Sequence, residues 1–156
     1  MNTTTTDRID KQAVLPVPRS RVWRALTDSS EFGTWFQVVF TRPFRPGATL
    51  AGRITSPGYE HLVIDFAIEK MEPERYFSFR WHPNAVEPGM DYSSEPMTLV
   101  EFVLEEAEGG TRLSIVESGF DRIPIARRAA ALKGNDQGWE KQMKAIARYL
   151  QSERPS

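Results

Sequence analysis

The chain has no cysteine, only two histidines, no surplus of either charge sign and no long apolar run. Without cysteine there is no disulfide framework, no thiol nucleophile and no thiolate ligand. His61 and His82 fall on different predicted strands and no His-Glu-x-x-His spacing occurs, so neither a metal nor a cofactor is expected. Twenty basic side chains stand against twenty-one acidic ones, a net charge of −1. Nucleic acid, which needs a clustered basic face, is therefore not an expected partner. No apolar run approaches the roughly 18 residues of a membrane span. The threonine-rich start, Met1 to Asp7, lacks the basic and apolar regions of a signal peptide, which makes the cytoplasm the expected location. Gly109-Gly110 is followed by no Lys-Ser/Thr pair, so no phosphate-cradling loop is foreseen.

What is present suits one packed domain over residues 8–151, with polar tails at 1–7 and 152–156. A first strand is predicted from Arg8 to Leu15. Pro16 and Pro18 then introduce a helix carrying Val22, Ala25 and Leu26 on one face. Asp28 and Glu31 have the spacing of a capping box, which predicts a second short helix from Ser29 to Trp35. Alternating segments follow at Ala48 to Ile54, His61 to Glu69, Tyr76 to His82, Thr98 to Glu105 and Thr111 to Ser118. Pro83 to Pro96 is a long loop, and Gly109-Gly110 a hairpin turn. Two helices are predicted to close the chain, Ile123 to Lys133 and Asn135 to Gln151, with Gly134 ending the first and Asn135 capping the second. Trp139, Met143, Ile146 and Leu150 form one apolar stripe on the last helix. The class is α+β, a curved antiparallel sheet gripping a long C-terminal helix.

Strand parity supplies the sharpest functional candidate. Leu113, Ile115 and Glu117 share one side of their strand, which puts a carboxylate on the apolar face. Such a group is a candidate general acid or hydrogen-bond anchor. The plainer reading is that it pairs with an arginine, or accepts backbone N–H groups from the Gly119 turn. Trp81, Phe79, Phe66, Phe102 and Trp139 take inward parities and either fill the core or line a cavity. Arg80 and His82, with Asp91 and Tyr92 in the loop beyond, are polar groups of a cavity mouth or of a solvated face. Arg122, Arg127, Arg128 and Lys133 read as a solvated face, or as a surface for an acidic partner.

Taken in order, Val22-Trp23-Arg24-Ala25-Leu26-Thr27-Asp28, Trp35-Phe36, Phe44 with Pro46-Gly47, and Phe79-Arg80-Trp81 span the first half of the domain. Gly110-Thr111-Arg112-Leu113, Glu117-Ser118-Gly119-Phe120 and Gly138-Trp139 follow in the second. This series resembles the START-like, helix-grip (SRPBCC) superfamily, and within it the homologues of the activator of the heat-shock protein 90 ATPase. The resemblance implies a helix-grip fold and a small hydrophobic ligand, lipid-like or aromatic and polyketide-like, between sheet and C-terminal helix. Trp35, Phe66, Phe79, Trp81, Phe102, Trp139 and Met143 would be the walls and Glu117 the polar anchor. The second helix and the Pro83 to Pro96 loop would gate the entrance. Two alternatives accompany it: an interaction module stimulating a chaperone ATPase, and a cyclase or dehydratase using Glu117 with His82 or Tyr92. The opposite strand parities of Glu117 and His82 argue against that pair. A monomer and a homodimer are both compatible with the exposed strand edges.

Overall fold

A computed structural model describes residues 8–87 and 89–152. The predicted tails fall on 1–7 and 152–156, of which only Ser152 lies within the described residues. Strand β1 (Arg8–Leu15) leads into helices α1 (Arg19–Thr27) and α2 (Ser29–Phe36). Strands β2 (Val38–Val39), β3 (Thr49–Ile54), β4 (Val63–Glu72), β5 (Tyr76–Trp81), β6 (Thr98–Ala107) and β7 (Gly110–Ser118) follow. A 3-10 turn at Phe120–Arg122 then precedes helix α3 (Ile125–Ser152). The strands form one antiparallel sheet in the order β1-β7-β6-β5-β4-β3-β2. Its curved inner face holds α3, as a helix-grip fold requires.

The inner face follows the two-residue period. Phe77, Phe79 and Trp81 on β5, Val100, Phe102 and Leu104 on β6, and Leu113, Ile115 and Glu117 on β7 are all buried. Register sets Glu117 opposite Val100 on one side and Ile9 on the other. Trp81 pairs with Thr98. From α3 the buried stripe is Ala131, Trp139, Met143, Ile146 and Leu150.

Two short helices close the remaining side. Asp28 caps α2 through its own carboxylate, which accepts the backbone N–H groups of Ser30 and Glu31. The predicted capping box is only half formed, because the Glu31 carboxylate is engaged elsewhere. Arg21 Nη1 and Tyr149 Oη each donate to Glu31 Oε1 at 2.8 Å, and Arg24 Nε donates to Oε2 at 2.7 Å. One carboxylate thereby ties α1, α2 and α3. Burial pushes that carboxyl upward, but the hydrogen bonds from Tyr149 and Arg21 outweigh it and hold Glu31 below the ordinary glutamate range.

Two expectations are corrected here. The C-terminal region is one continuous helix, not two. Gly134 does not end it. The residue lies under the 83–96 segment, where a Cβ would come within 2.8 Å of Asn84 Oδ1, so glycine permits close packing inside a helix. Of the four residues read as a solvated face, Arg122 and Lys133 are exposed, but Arg127 and Arg128 are partly buried and hydrogen-bonded. Arg127 reaches into the 83–96 segment, donating to Glu95 Oε1 from Nη2 at 2.7 Å and to the Pro83 carbonyl at 3.0 Å. Its guanidinium also lies 4.8 Å from the Tyr92 ring centroid.

Candidate functional site

Glu117 is fully buried, at 0% exposure, and every group around it is neutral. Trp81 Nε1 donates to Oε2 at 2.7 Å, and Thr98 Oγ1 lies 2.5 Å from the same oxygen. Trp139 Nε1 donates to Oε1 at 2.8 Å. Asn135 Nδ2 spans both oxygens, at 2.9 and 3.1 Å. Neither alternative weighed for this residue, an arginine partner or the Gly119 backbone, is what the fold provides. Strands β5, β6 and β7 each contribute one residue, Trp81, Thr98 and Glu117, and α3 contributes the i, i+4 pair Asn135 and Trp139.

The electrostatics follow from this composition. Burial is the largest influence on Glu117 and raises its pKa above the ordinary range; the four side-chain hydrogen bonds pull it partly back. The two indole N–H groups can only donate, whereas the Thr98 hydroxyl can also accept. The Thr98 hydroxyl and, with its amide turned over, Asn135 are therefore the partners that can face a proton held on the carboxyl group.

Two of these donor residues escape a sequence reading, though both carried a signal. Thr98 has the parity of Val100, Phe102 and Leu104. Asn135 precedes Trp139 by one helical turn on the buried stripe, so its amide goes to Glu117 and not to a helix cap.

The aromatic residues chosen as cavity walls pack largely against one another. Phe66 lies 5.0 Å from Phe79 and 5.4 Å from Trp81, centroid to centroid; Phe79 lies 6.0 Å from Phe102. Phe66, Phe79 and Phe102 are completely buried. Trp35 turns toward α1, its Nε1 donating to the Ala25 carbonyl at 2.9 Å. Met143 takes its place on the buried stripe of α3. Space remains at one edge of this cluster, a cleft of about 80 Å³ lined by Phe36, Trp81, Asn135, Gly138, Trp139 and Gln142. Of the predicted walls, Trp81 and Trp139 reach it. Three of the four residues that bond Glu117 also line it. Gln142 continues from the cleft into an outer groove between α2 and α3 that includes Trp35, Lys141 and Tyr149.

His82 and Tyr92 do not converge on Glu117. His82 Nε2 bonds the Glu95 carbonyl at 3.0 Å, and Tyr92 Oη accepts from the Glu87 N–H at 3.2 Å. Together with Asp91 they border a separate groove. Among the described residues no cluster of histidine, aspartate and glutamate could hold a metal ion. No helix there is long and apolar enough to cross a membrane.

No curated protein matches the chain in sequence. Among solved structures, a protein from Mesorhizobium loti superposes with a TM-score of 0.73 at 23% identity, over 95% of this chain and 99% of that one. DynU16, from the dynemicin biosynthetic locus, superposes with a TM-score of 0.72 at 23% identity over 96% of this chain, which spans 49% of that protein. The Aha1 dimer from Colwellia psychrerythraea gives a TM-score of 0.70 at 16% identity, over 92% of this chain and 95% of that one. These likenesses place the fold. The family model described as activator of Hsp90 ATPase homolog 1-like protein matches residues 16–151, and the chain belongs to that family.

Proposed function

We propose that the protein binds a small, largely apolar and uncharged ligand bearing a hydrogen-bond donor, with its head in the cleft over Gly138. The observation that carries this reading is Gly138 itself. A glycine inside a helix costs about 0.5–1 kcal/mol relative to alanine. No neighbour explains the choice, because a Cβ there would meet nothing within 4 Å. The space it leaves is the floor of the cleft beside the residues that bond Glu117.

The lining decides the ligand's chemistry. None of the six residues around the cleft is charged, and the polar group behind them is an acceptor without a cation. A phenol or amide could exchange its N–H or O–H for that of Asn135, whereas a carboxylate would face Glu117 unshielded. Pockets for drug-sized ligands run to about 300–1,000 Å³, so the 80 Å³ cleft takes a head group. The body would lie along the α2–α3 groove past Gln142 and Trp35. Trp81 and Trp139 form the near walls, Phe66, Phe79 and Phe102 back them, and Met143 flanks them on α3. Movement of α2 would admit more of the ligand.

Isothermal titration with 2-naphthol, 2-methoxynaphthalene and 2-naphthoate tests this reading. The naphthol is expected to bind at least tenfold more tightly than the other two. Gly138→Ala is expected to raise stability by about 0.5–1 kcal/mol, and Gly138→Leu to abolish binding while leaving the unfolding temperature at or above that of the parent. Equal affinity for the three probes, or binding indifferent to leucine at 138, would overturn it.

The family match favours a second reading, a partner of a heat-shock protein 90 type ATPase. Stimulation of a purified ATPase of that class by the protein, retained in Gly138→Leu, would support this reading over the first.

A further inference from the structure

Trp81, Trp139 and Asn135 all bond Glu117 and all line the cleft, but they differ in what they can offer a ligand. Each indole has one polar group, an N–H already committed to the carboxyl. The Asn135 amide has two. Its Nδ2 faces Glu117, and among the described residues its Oδ1 accepts no hydrogen bond. The amide oxygen is therefore the polar atom that Asn135 has left for whatever enters the cleft.

Glu117 dictates which end of the amide faces it. An ionised carboxylate only accepts, so it holds Nδ2. A protonated one must also donate, and its partners decide where. Oε2 receives Trp81 and Thr98, Oε1 receives Trp139, and Asn135 reaches both. The indoles cannot accept. Thr98 is fully buried and among the described residues its hydroxyl bonds only Glu117, so accepting the proton would leave its own O–H facing no acceptor. A proton on Oε1 avoids this. Trp81 and Thr98 go on donating to Oε2, and Asn135, 2.9 Å from Oε1, turns over to accept. Its N–H groups then face the cleft, where a ligand or water takes them.

No other charge intervenes. Ile9 from β1, Trp81 from β5, Thr98 and Val100 from β6, and Asn135 and Trp139 from α3 are all neutral. Beside them on α3, Asp136 and Glu140 are each held by Lys11 of β1 at 3.0 Å. His82, next to Trp81, is bonded to the Glu95 carbonyl. Burial sets the exchange of the two states above the ordinary carboxylate range.

Resting on the reading of the cleft given above, we propose that Asn135 determines which ligands the cleft accepts and that its amide turns over with the charge on Glu117. With the carboxyl ionised the cleft presents an acceptor and selects donors such as phenols; with the carboxyl protonated it presents N–H groups and selects acceptors such as ketones.

The test titrates 2-naphthol and 2-acetylnaphthalene, which only accepts, from about pH 4.5 to 8.5, while the Glu117 carboxyl carbon is followed by NMR. The affinity ratio of naphthol to ketone is expected to rise at least tenfold as the carboxyl ionises, along the same curve. Because linkage is reciprocal, saturating naphthol should move that curve to lower pH and saturating ketone to higher pH. In Glu117→Gln the ratio is expected to be the same at every pH. A constant ratio in the parent, a carboxyl that does not titrate in this range, or a pH dependence that survives in Glu117→Gln would overturn this inference and leave the cleft reading intact. Failure of naphthol to bind at any pH, or binding that Gly138→Leu does not block, would overturn both.

Discussion

Glu117→Ala is expected to cost about 3–5 kcal/mol, as a truncated core side chain and as the donors it leaves without an acceptor, and to lower the unfolding temperature by roughly 10 °C. The loss has two sources. The side chain leaves a void in a packed interior. It also leaves two indole N–H groups, an amide and a hydroxyl facing no acceptor, and each such donor carries a desolvation penalty of about 1–3 kcal/mol. Glu117→Gln separates the two. Its volume is nearly unchanged, but its amide nitrogen brings donors against donors. Thr98 can turn to accept and Asn135 can flip; the indoles of Trp81 and Trp139 have no such freedom. A loss of about 1–3 kcal/mol is therefore expected for the glutamine variant. Thermal unfolding of the two variants checks this, and a change under 2 °C in both would show that water already satisfies the donors.

The same pair of proteins yields a pH test. Because the folded state raises the pKa of Glu117, it retains a proton that the unfolded chain releases near the usual value of about 4.3. The contribution from that proton is fully present below the unfolded value and is lost as pH rises through the folded one. Asp28 and Glu31 act in the opposite direction, their depressed pKa values favouring the fold above the ordinary carboxylate range. Subtracting the Glu117→Gln profile from that of the parent removes those shared terms. The difference is expected to decline with rising pH from about 4.3 upward, and a rising difference would contradict the assigned direction.

The burial of Glu117 was legible because a strand assigns its side chains to two faces with a fixed period. The same rule applies to Thr98, two residues before Val100, yet threonine is so common at strand starts that its position draws no notice. Asn135 shows how local propensity misleads. After a glycine, an asparagine reads as a helix cap, and only a partner on a distant strand makes it favourable in mid-helix. The spacing Ala131, Asn135, Trp139, Met143 runs unbroken through Gly134, and that continuity was the better guide to a single helix. The aromatic parities correctly put Phe66, Phe79 and Phe102 inside. Parity carries no information on how much space such rings leave, so a filled interior and an open one look alike until their contacts are known. Arg127 had no legible partner, because Glu95 stands on a loop with no period.

Arg127→Ala is the second large effect expected, about 2–4 kcal/mol, since a charge-assisted hydrogen bond contributes about 1.5–3 kcal/mol and several are lost together. Nη2 serves both Glu95 and the Pro83 carbonyl, Nη1 donates to the Asn84 carbonyl at 3.3 Å, and Nε lies 3.1 Å from Glu95 Oε1. The Arg127–Glu95 pair is mostly shielded, with side-chain exposures of 17% and 16%, so solvent screening discounts it less than a surface pair. The consequence should be concentrated in the segment that the arginine fastens. Amide hydrogen exchange at residues 84–87 and 89–95 is expected to accelerate more than tenfold, while the strands around Glu117 exchange at nearly the parent rate. Arg127→Lys should recover little, because an ammonium cannot match the planar fork that reaches carboxylate and carbonyls together.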